Sequence, residues 1–321
     1  MRNKVCIGVD ISKTKFDAHS QTPIDRRRSG VFQNQEEGFE LFLRWLKKAE
    51  GSLHVCMEST GIYSQALARF LYARGIEVSV INPARSKHYA RALGLRSKTD
   101  AVDAAMLARF AEERAPRPWS PPPAEIGALQ ESIRRIDQLK ADLKRERNRA
   151  ENLPLGMVDS LRRHESFLVD EIARLEQEQA QLLRKCPTLQ KDMQLLCSIP
   201  GIAEQTALRL LVLFRAHSFQ SARQAAAFIG VTPRHVESGS SLHPRSRISK
   251  AGDAELRRAL FMPARSAKIY NPLLKPWAEQ LNQRGLAAKA VTAACMRKLI
   301  HIAFGVLKHQ QPFNENWAFT H

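Results

Sequence analysis

Apolar and polar positions change period once along this chain, and the change divides it. The β-branched run Lys4–Ile11 predicts a strand, and Lys15–Ser20 and Gly30–Gln33 predict short antiparallel neighbours. From Glu37 to Ala49 the apolar positions Phe39, Leu41, Phe42, Trp45 and Leu46 fall at helical steps. Leu53–Glu58 reads as a buried strand, Ile62–Ala73 as a helix, and Glu77–Ile81 as a strand ended by Asn82-Pro83. Ala101–Glu113 is again helical. Strands and helices in this order predict a mixed α/β sheet with helical cover.

Pro116, Pro118 and Pro121-Pro122-Pro123 make a stiff break, after which the strand signals stop. Ile126, Leu129, Ile133, Ile136 and Leu143 then follow at largely three- and four-residue steps, and Leu168, Ile172, Leu175 and Leu182 repeat the pattern beyond Pro154-Leu155-Gly156. Such a pattern predicts an antiparallel helical hairpin or coiled-coil arm, and suits either a linker packed on its own chain or a dimerisation element. From Pro187 the chain reads as helices joined by polar loops. One helix opens at Ser198-Ile199-Pro200-Gly201-Ile202 and runs to Phe214, and a short one covers Ser221–Ile229. A loop rich in Ser, Arg and Gly spans Gly230–Lys250, and helices over Ala254–Ile269 and Gly285–Val306 close the chain. The expected domains are therefore residues 1–118, α/β; 119–186, a helical hairpin; and 187–321, mostly α-helical.

Charge narrows the partners. The 321 residues carry 50 Lys and Arg against 32 Asp and Glu, a formal net charge of +18. That surplus attracts a polyanion, most commonly nucleic acid. No apolar run approaches the ~20 residues that span a bilayer, so no membrane partner is expected. Met1-Arg2-Asn3-Lys4 precedes only a short apolar run ending on Asp10, which is not a signal-peptide pattern. Cys6, Cys56, Cys186, Cys197 and Cys295 are scattered without a Cys-x-x-Cys pair, so neither zinc nor disulfides are indicated. The expected setting is the cytoplasm, with reduced thiols.

Four acids stand at positions where chemistry is expected. Asp10 ends the first strand and Glu58 a later one, and neighbouring parallel strands would set them side by side at one sheet edge. Asp100 and Asp103 lie three apart at a helix start, so they share a face. Carboxylates converging in this way repel unless a cation lies between them, and Mg²⁺ takes such oxygen ligands. Two ions ~4 Å apart would clamp a phosphodiester. Each acid also has an ordinary explanation, Asp10 as a solvated strand end and Asp100 as a helix N-cap. The opening Gly8-Val9-Asp10-Ile11-Ser12-Lys13-Thr14 is also similar to the phosphate turn of sugar kinases and actin-like ATPases. It lacks their usual glycine after the Asp, and no second Asp-Gly-Thr loop follows.

The polar loop offers a second chemistry. Glu237-Ser238-Gly239-Ser240-Ser241 is followed by Arg245, Arg247, Ser249, Lys250 and Gly252. Serine attack on a phosphodiester stores the bond in a phosphoserine and needs an exposed hydroxyl with cations around it. Arg234, Arg245, Arg247 and Lys250 are candidates for those cations, and Arg257 and Arg258 extend the basic face. A loop that only touches backbone phosphates explains the same residues. Ile199-Pro200-Gly201-Ile202 suits a hairpin whose following helix start grips phosphate, or simply a Pro-Gly turn.

Taken together, three stretches resemble the DEDD-type insertion-sequence transposases related to the Piv invertases: Gly8-Val9-Asp10-Ile11-Ser12-Lys13, Met57-Glu58-Ser59-Thr60-Gly61 and Lys98-Thr99-Asp100-Ala101-Val102-Asp103-Ala104. Ser198 to Ile202, Phe228 to Pro233, and Glu237-Ser238-Gly239-Ser240 through Ile248 to Gly252 resemble that family's carboxy-terminal domain. The resemblance implies an RNase H-like fold of the RuvC type with Asp10, Glu58, Asp100 and Asp103 as a metal-binding tetrad. It implies Mg²⁺, with two ions expected and Mn²⁺ able to substitute, and a nucleophilic Ser238 in the carboxy-terminal domain. It implies excision and integration of an insertion element, with donor and target DNA as partners. A structured noncoding bridge RNA is the implied guide, and a bacterial, nucleoid-associated setting the implied location. A homo-oligomer, dimer or tetramer, is expected to assemble through the coiled-coil region, with active sites shared between subunits. The competing reading is a RuvC-like, structure-specific nuclease in which metal-activated water attacks.

Overall fold

The apolar run at the start of the chain becomes the central strand of a five-stranded sheet. In this computed structural model, which describes residues 4–95, 99–150, 158–234 and 247–316, the chain forms two compact units, Met1–Pro121 and Pro122–His321. In the first unit, β1 (Lys4–Ile11), β2 (Lys15–Ile24) and β3 (Arg27–Gln33) form an antiparallel meander. Helix α1 (Glu36–Leu46) then leads to β4 (Ser52–Glu58), and α2 (Ile62–Ala73) to β5 (Glu77–Ile81). β4 lies parallel to β1, and β5 parallel to β4, giving the order β3-β2-β1-β4-β5. The expected mixed sheet is therefore observed.

Alternation along the strands assigns their two faces. Val5, Ile7, Val9 and Ile11 of β1, with Val55 and Met57 of β4, pack against Phe39, Phe42 and Leu46 of α1 and Leu67 and Leu71 of α2. On the other face Cys6 and Cys56 meet Tyr89 of α3 (Pro83–Ala92) and Met106, Leu107, Phe110 and Ala111 of α4 (Asp100–Arg114). Asn82-Pro83, read from the sequence only as a strand end, also starts α3. The Asn82 side chain accepts from the Ala84 amide at 2.8 Å, and Pro83 occupies the first turn, where a missing N–H costs nothing.

Gly8 decides how closely α4 approaches. A Cβ at this position would lie 2.0 Å from the Ala104 carbonyl oxygen and 2.2 Å from the Ala108 nitrogen. Those atoms are backbone and cannot rotate away. Gly8 and the small residues Ala104, Ala108 and Ala111 thus let α4 lie directly on β1.

The second unit begins with α5 (Ala124–Ala150) and α6 (Val158–Lys185). Cross-pairs Lys140–Glu176 (2.8 Å), Arg147–Glu165 (2.7 Å) and Gln179–Ser132 (3.1 Å) show the two running antiparallel. Ile136, Leu139, Leu168 and Ile172 form the hairpin's own apolar seam. At its base Ile126 and Leu129 join the core of the helices that follow, and Arg209 forms a two-pronged ion pair with Asp137. Those helices are α7 (Pro187–Cys197), α8 (Glu204–Ala216) and α9 (Ala222–Ile229). After a short ribbon, β6 (Pro233–Arg234) with β7 (Arg247–Ile248), come α10 (Ala254–Ala259), α11 (Phe261–Tyr270), α12 (Leu274–Gln283) and α13 (Ala288–His309).

Two expectations are corrected here. The single helix expected over Ala254–Ile269 is two, α10 and α11, because Pro263 has no amide to donate to the Ala259 carbonyl one turn back. The sequence showed no run apolar enough to cross a membrane, yet α13 reaches that length and hydropathy. Half of it is buried in this unit's core, as suits a central packing helix.

Gly8→Ala is expected to destabilise the protein by ~3 kcal/mol, the upper end of ordinary overpacking, because the obstructing atoms are backbone. Denaturant unfolding checks this; a change within ~0.5 kcal/mol would show that α4 can move away without cost.

Candidate functional site

Parallel pairing brings two of the acids together. Val9 of β1 stands opposite Met57 of β4, so the next residues, Asp10 and Glu58, come side by side at the strand ends. Asp10 follows Gly8 on the α4 face of the strand. α4 begins over this edge, with Asp100 and Asp103 in its first turn, where the helix dipole favours negative charge. Thr99 caps the helix by accepting from the Val102 amide at 3.3 Å. The N-cap explanation of Asp100 is therefore corrected, and that carboxylate is left available to the site.

Asp10 registers the convergence. Its pKa is pushed up from 3.8 to about 6, first by burial and then by the charges of Asp103, Asp100, Glu58 and Asp17. Asp17 lies opposite Asp10 in the β1–β2 register and was missed from the sequence, although strand alternation could have marked it. Two other contributors were also missed. The Lys15 ammonium bridges Asp100 Oδ2 at 3.1 Å and Asp17 Oδ2 at 3.3 Å. Buried Ser86, on α3, donates to Glu58 Oε2 at 2.6 Å and fixes that carboxylate. Nothing in the sequence marks Ser86, because α3 itself was not foreseen.

Among the described residues, no group of three or more acidic, histidine or cysteine side chains is arranged to hold a metal ion as it stands. Lys15 and Ser86 engage Asp100 and Glu58 instead. The chemistry nevertheless fits a hard divalent cation. The donors are carboxylate oxygens, and burial together with four neighbouring acids raises the pKa of Asp10, a penalty that a cation held there would lessen.

Of the carboxy-terminal candidates, Ser238 and Arg245 lie outside the described residues, as does the side chain of Arg247. The backbone of Arg247 pairs with Arg234 in the β6–β7 ribbon, and Arg234 is exposed. The foot of the loop is closed tightly. The Ser249 amide donates to Thr232 at 2.8 Å and the Lys250 amide to Gly230 at 3.1 Å. A Cβ on Gly252, which has φ +144°, would lie 2.0 Å from the Phe228 carbonyl oxygen. Lys250, Arg257 and Arg258 line one cleft in this unit. Arg257 also donates to the Ile229 carbonyl at 2.9 Å, tying α10 to the end of α9. Arg223 of α9 and Lys289, Arg297 and Lys298 of α13 line the same cleft and were missed, the last three because the apolar pattern of α13 overshadowed its cations. The Pro200-Gly201 turn is a packing turn in this structure. Pro200 O accepts from buried Asn271 at 3.1 Å, a Cβ on Gly201 would strike Ala267, and the helix that follows opens on the acid Glu204.

Comparisons agree with both halves. Residues 7–156 match a transposase family of the DEDD, IS110 type. Residues 193–278 match "Transposase IS116/IS110/IS902 family". The pilin gene-inverting protein of Moraxella lacunata is 35% identical over 98% of both chains. Its counterpart from Moraxella bovis is 34% identical over the same share. An uncharacterised 43.6 kDa protein of insertion element IS110, from Streptomyces coelicolor, is 28% identical over 114 residues, 35% of this chain and 28% of that one.

The raised pKa of Asp10 has a definite stability consequence. Its folded value of about 6 exceeds the ordinary 3.8, so the folded chain favours the protonated form. Stability from this group is full below pH 3.8 and is lost as pH rises through 6, by roughly 3 kcal/mol at ~1.4 kcal/mol per pKa unit. In metal-free buffer Asp10→Asn is expected to raise the melting temperature near neutral pH, with a gain that fades towards pH 4. An equal gain at both pH values would show that the neighbouring charges do not act on Asp10.

Proposed function

Because the chain belongs to the IS110 family of transposases, we propose that it cuts and rejoins DNA for excision and integration of an insertion element. In this reading Ser238 attacks a phosphodiester that Asp10, Glu58, Asp100 and Asp103 engage through Mg²⁺. Membership of the family makes it a DNA recombinase with an RNase H-like first domain, and its DEDD acids imply a divalent metal. The observation that carries the fuller reading is the convergence of three further tetrad acids on Asp10.

A bound Mg²⁺ pair, or Mn²⁺ in its place, would neutralise charge on the phosphate oxygens as the five-coordinate phosphorus forms. The chain's own groups have separate tasks. Ser86 holds Glu58 in one orientation, and the Thr99 cap holds the first turn of α4 so that Asp100 and Asp103 face the strand ends. Asp10, whose pKa is raised to about 6, would be held ionised by a divalent cation bound there and would serve as one of its ligands. Ser238 Oγ gives up its proton and forms a bond to phosphorus as the bond from phosphorus to a deoxyribose oxygen breaks. One proton is thus released at the serine for the one taken up by the departing oxygen. The departing oxygen takes a proton, and the phosphoserine keeps the energy needed to rejoin DNA without ATP. Attack by the hydroxyl of a new strand then frees the serine.

The net charge of +18 supports binding of more than one nucleic-acid backbone, and a bridge RNA pairing with donor and target DNA is the proposed source of sequence choice. The α5–α6 hairpin is the proposed assembly element of a dimer or tetramer, supported by Phe167 and Val169, which are 61% and 43% exposed on α6.

Two measurements test these assignments. On nicked suicide substrates carrying the element's own ends, wild-type protein is expected to leave a covalent protein–DNA adduct, which Ser238→Ala abolishes. Asp103→Asn should abolish the adduct without weakening DNA binding. Free ends produced by an active Ser238→Ala protein would instead identify water as the nucleophile. For assembly, Phe167→Glu is expected to lower the mass seen by light scattering to that of a smaller oligomer; an unchanged mass would place the contact elsewhere.

A further inference from the structure

A cleft of about 1770 Å³ opens in the carboxy-terminal unit between the β6–β7 ribbon, α10 and α13. It exceeds the ~300–1,000 Å³ of sites for small cofactors, so its volume suits a segment of polymer. Part of its lining is apolar. Phe261, Met262 and Leu286 line it while remaining 38%, 62% and 40% exposed, and Trp277 joins them. The lining is also cationic, with Arg223, Arg257, Arg258, Lys289, Arg297 and Lys298, and with Lys250 at the foot of the segment that carries Ser238. No acidic side chain is among the described residues that line it. The Lys298 ammonium lies 5.5 Å from the centre of the Trp277 ring, so charge and aromatic surface are interleaved.

Two polar atoms inside the cleft wall lack partners. Arg297 Nε and His301 Nε2 are buried without a hydrogen bond, one helical turn apart on α13. Burial, Arg297, Lys298 and Arg223 push the His301 pKa down to about 4, so the ring stays neutral and the site's positive charge comes from its Arg and Lys residues. Buried polar groups left unsatisfied are costly, and an anionic oxygen that reached the Arg297 N–H would relieve that one.

We propose that this cleft seats a short unpaired stretch of the DNA strand being exchanged, with phosphates on its cationic side chains and base faces on its open apolar ones. The occupant's chemistry follows from the lining. In a duplex the base faces are stacked and hidden, whereas a lining with Phe261, Met262 and Trp277 takes up base faces only when they are exposed. Ser221 is the one hydroxyl among the described lining residues. The assignment to DNA rests on the recombinase reading above. The wall formed by Pro233, Ile248 and Lys250 is where the segment bearing Ser238 leaves the ribbon, so a strand in the cleft would be adjacent to that segment's foot.

The test is equilibrium binding by the full-length chain, read by fluorescence anisotropy on labelled oligothymidine, a duplex of equal length, and oligouridine. Arg297→Gln and Trp277→Ala are each expected to weaken oligothymidine binding tenfold or more, with duplex binding changed less than threefold. Trp277→Phe should restore most of the loss, which separates a stacking surface from a folding defect. Photocrosslinking of wild-type protein to a 5-iodo-deoxyuridine oligonucleotide needs no variant, and adducts are expected on Phe261, Met262 or Trp277. Adducts mapping only outside the cleft, or equal losses for single strand and duplex, would overturn the proposal. Tenfold preference for oligouridine would overturn the assignment to DNA. A Ser238–DNA adduct without cleft crosslinks refutes the cleft and leaves the recombinase reading standing. Cleft crosslinks without that adduct uphold the cleft and refute the serine chemistry.

Discussion

The contact between Gly8 and the backbone of α4 is the constraint on which the first unit depends. At Gly8 the helix lies against the strand with no strand side chain between them, and its first turn is thereby held above the ends of β1 and β4. Apolar packing beneath, from Cys6 and Cys56 to Met106 and Leu107, holds the helix in place against the repulsion of the acids it brings together. The raised pKa of Asp10 is the visible cost. The helix dipole, Lys15 and Ser86 offset part of it, and a divalent cation held there would lessen it further.

The second unit uses the same device of close backbone approach for a different purpose. Gly252 lets the chain after the serine-bearing segment pass against the end of α9, and Arg257 ties α10 to the same point. The loop's foot is thus anchored to a packed helical core, beside a cleft whose cations come from five separate places along the chain: α9, Lys250, α10, Lys289 at the start of α13, and the Arg297–Lys298 pair further along it. Positive charge spread through the sequence as a surplus of 18 becomes local here, and apolar side chains left open beside it make the surface suited to unpaired bases rather than to phosphates alone.

The sequence reading succeeded where a local rule governs. Alternation marked the strands of the first sheet, and helical spacing marked the hairpin, because one side chain's environment repeats at a fixed interval. Asp10, Glu58, Asp100 and Asp103 were legible because polar residues at the ends of apolar strands and at helix starts stand out against their surroundings. Helix α3 was not legible, since Asn82-Pro83 serves equally as a strand end and as a cap with proline in the first turn. The break between α10 and α11 was missed although Pro263 marked it plainly.

By itself, then, the sequence determined the mixed sheet, the helical hairpin, the acids at the strand and helix ends, the basic surplus and the family resemblance, whereas the hairpin it set apart as a domain of its own packs into the second of two compact units. Tertiary structure decided what surrounds those residues. Asp17 faces Asp10 through strand register, Lys15 bridges two carboxylates, Ser86 reaches Glu58 from a helix 28 positions along, and Arg297 shares a cleft with Arg223. Periodicity carries information about which side of an element is buried. It carries none about which distant element covers that side, because Coulomb and hydrogen-bond energies depend on separation in space, and that is set only when the whole core packs.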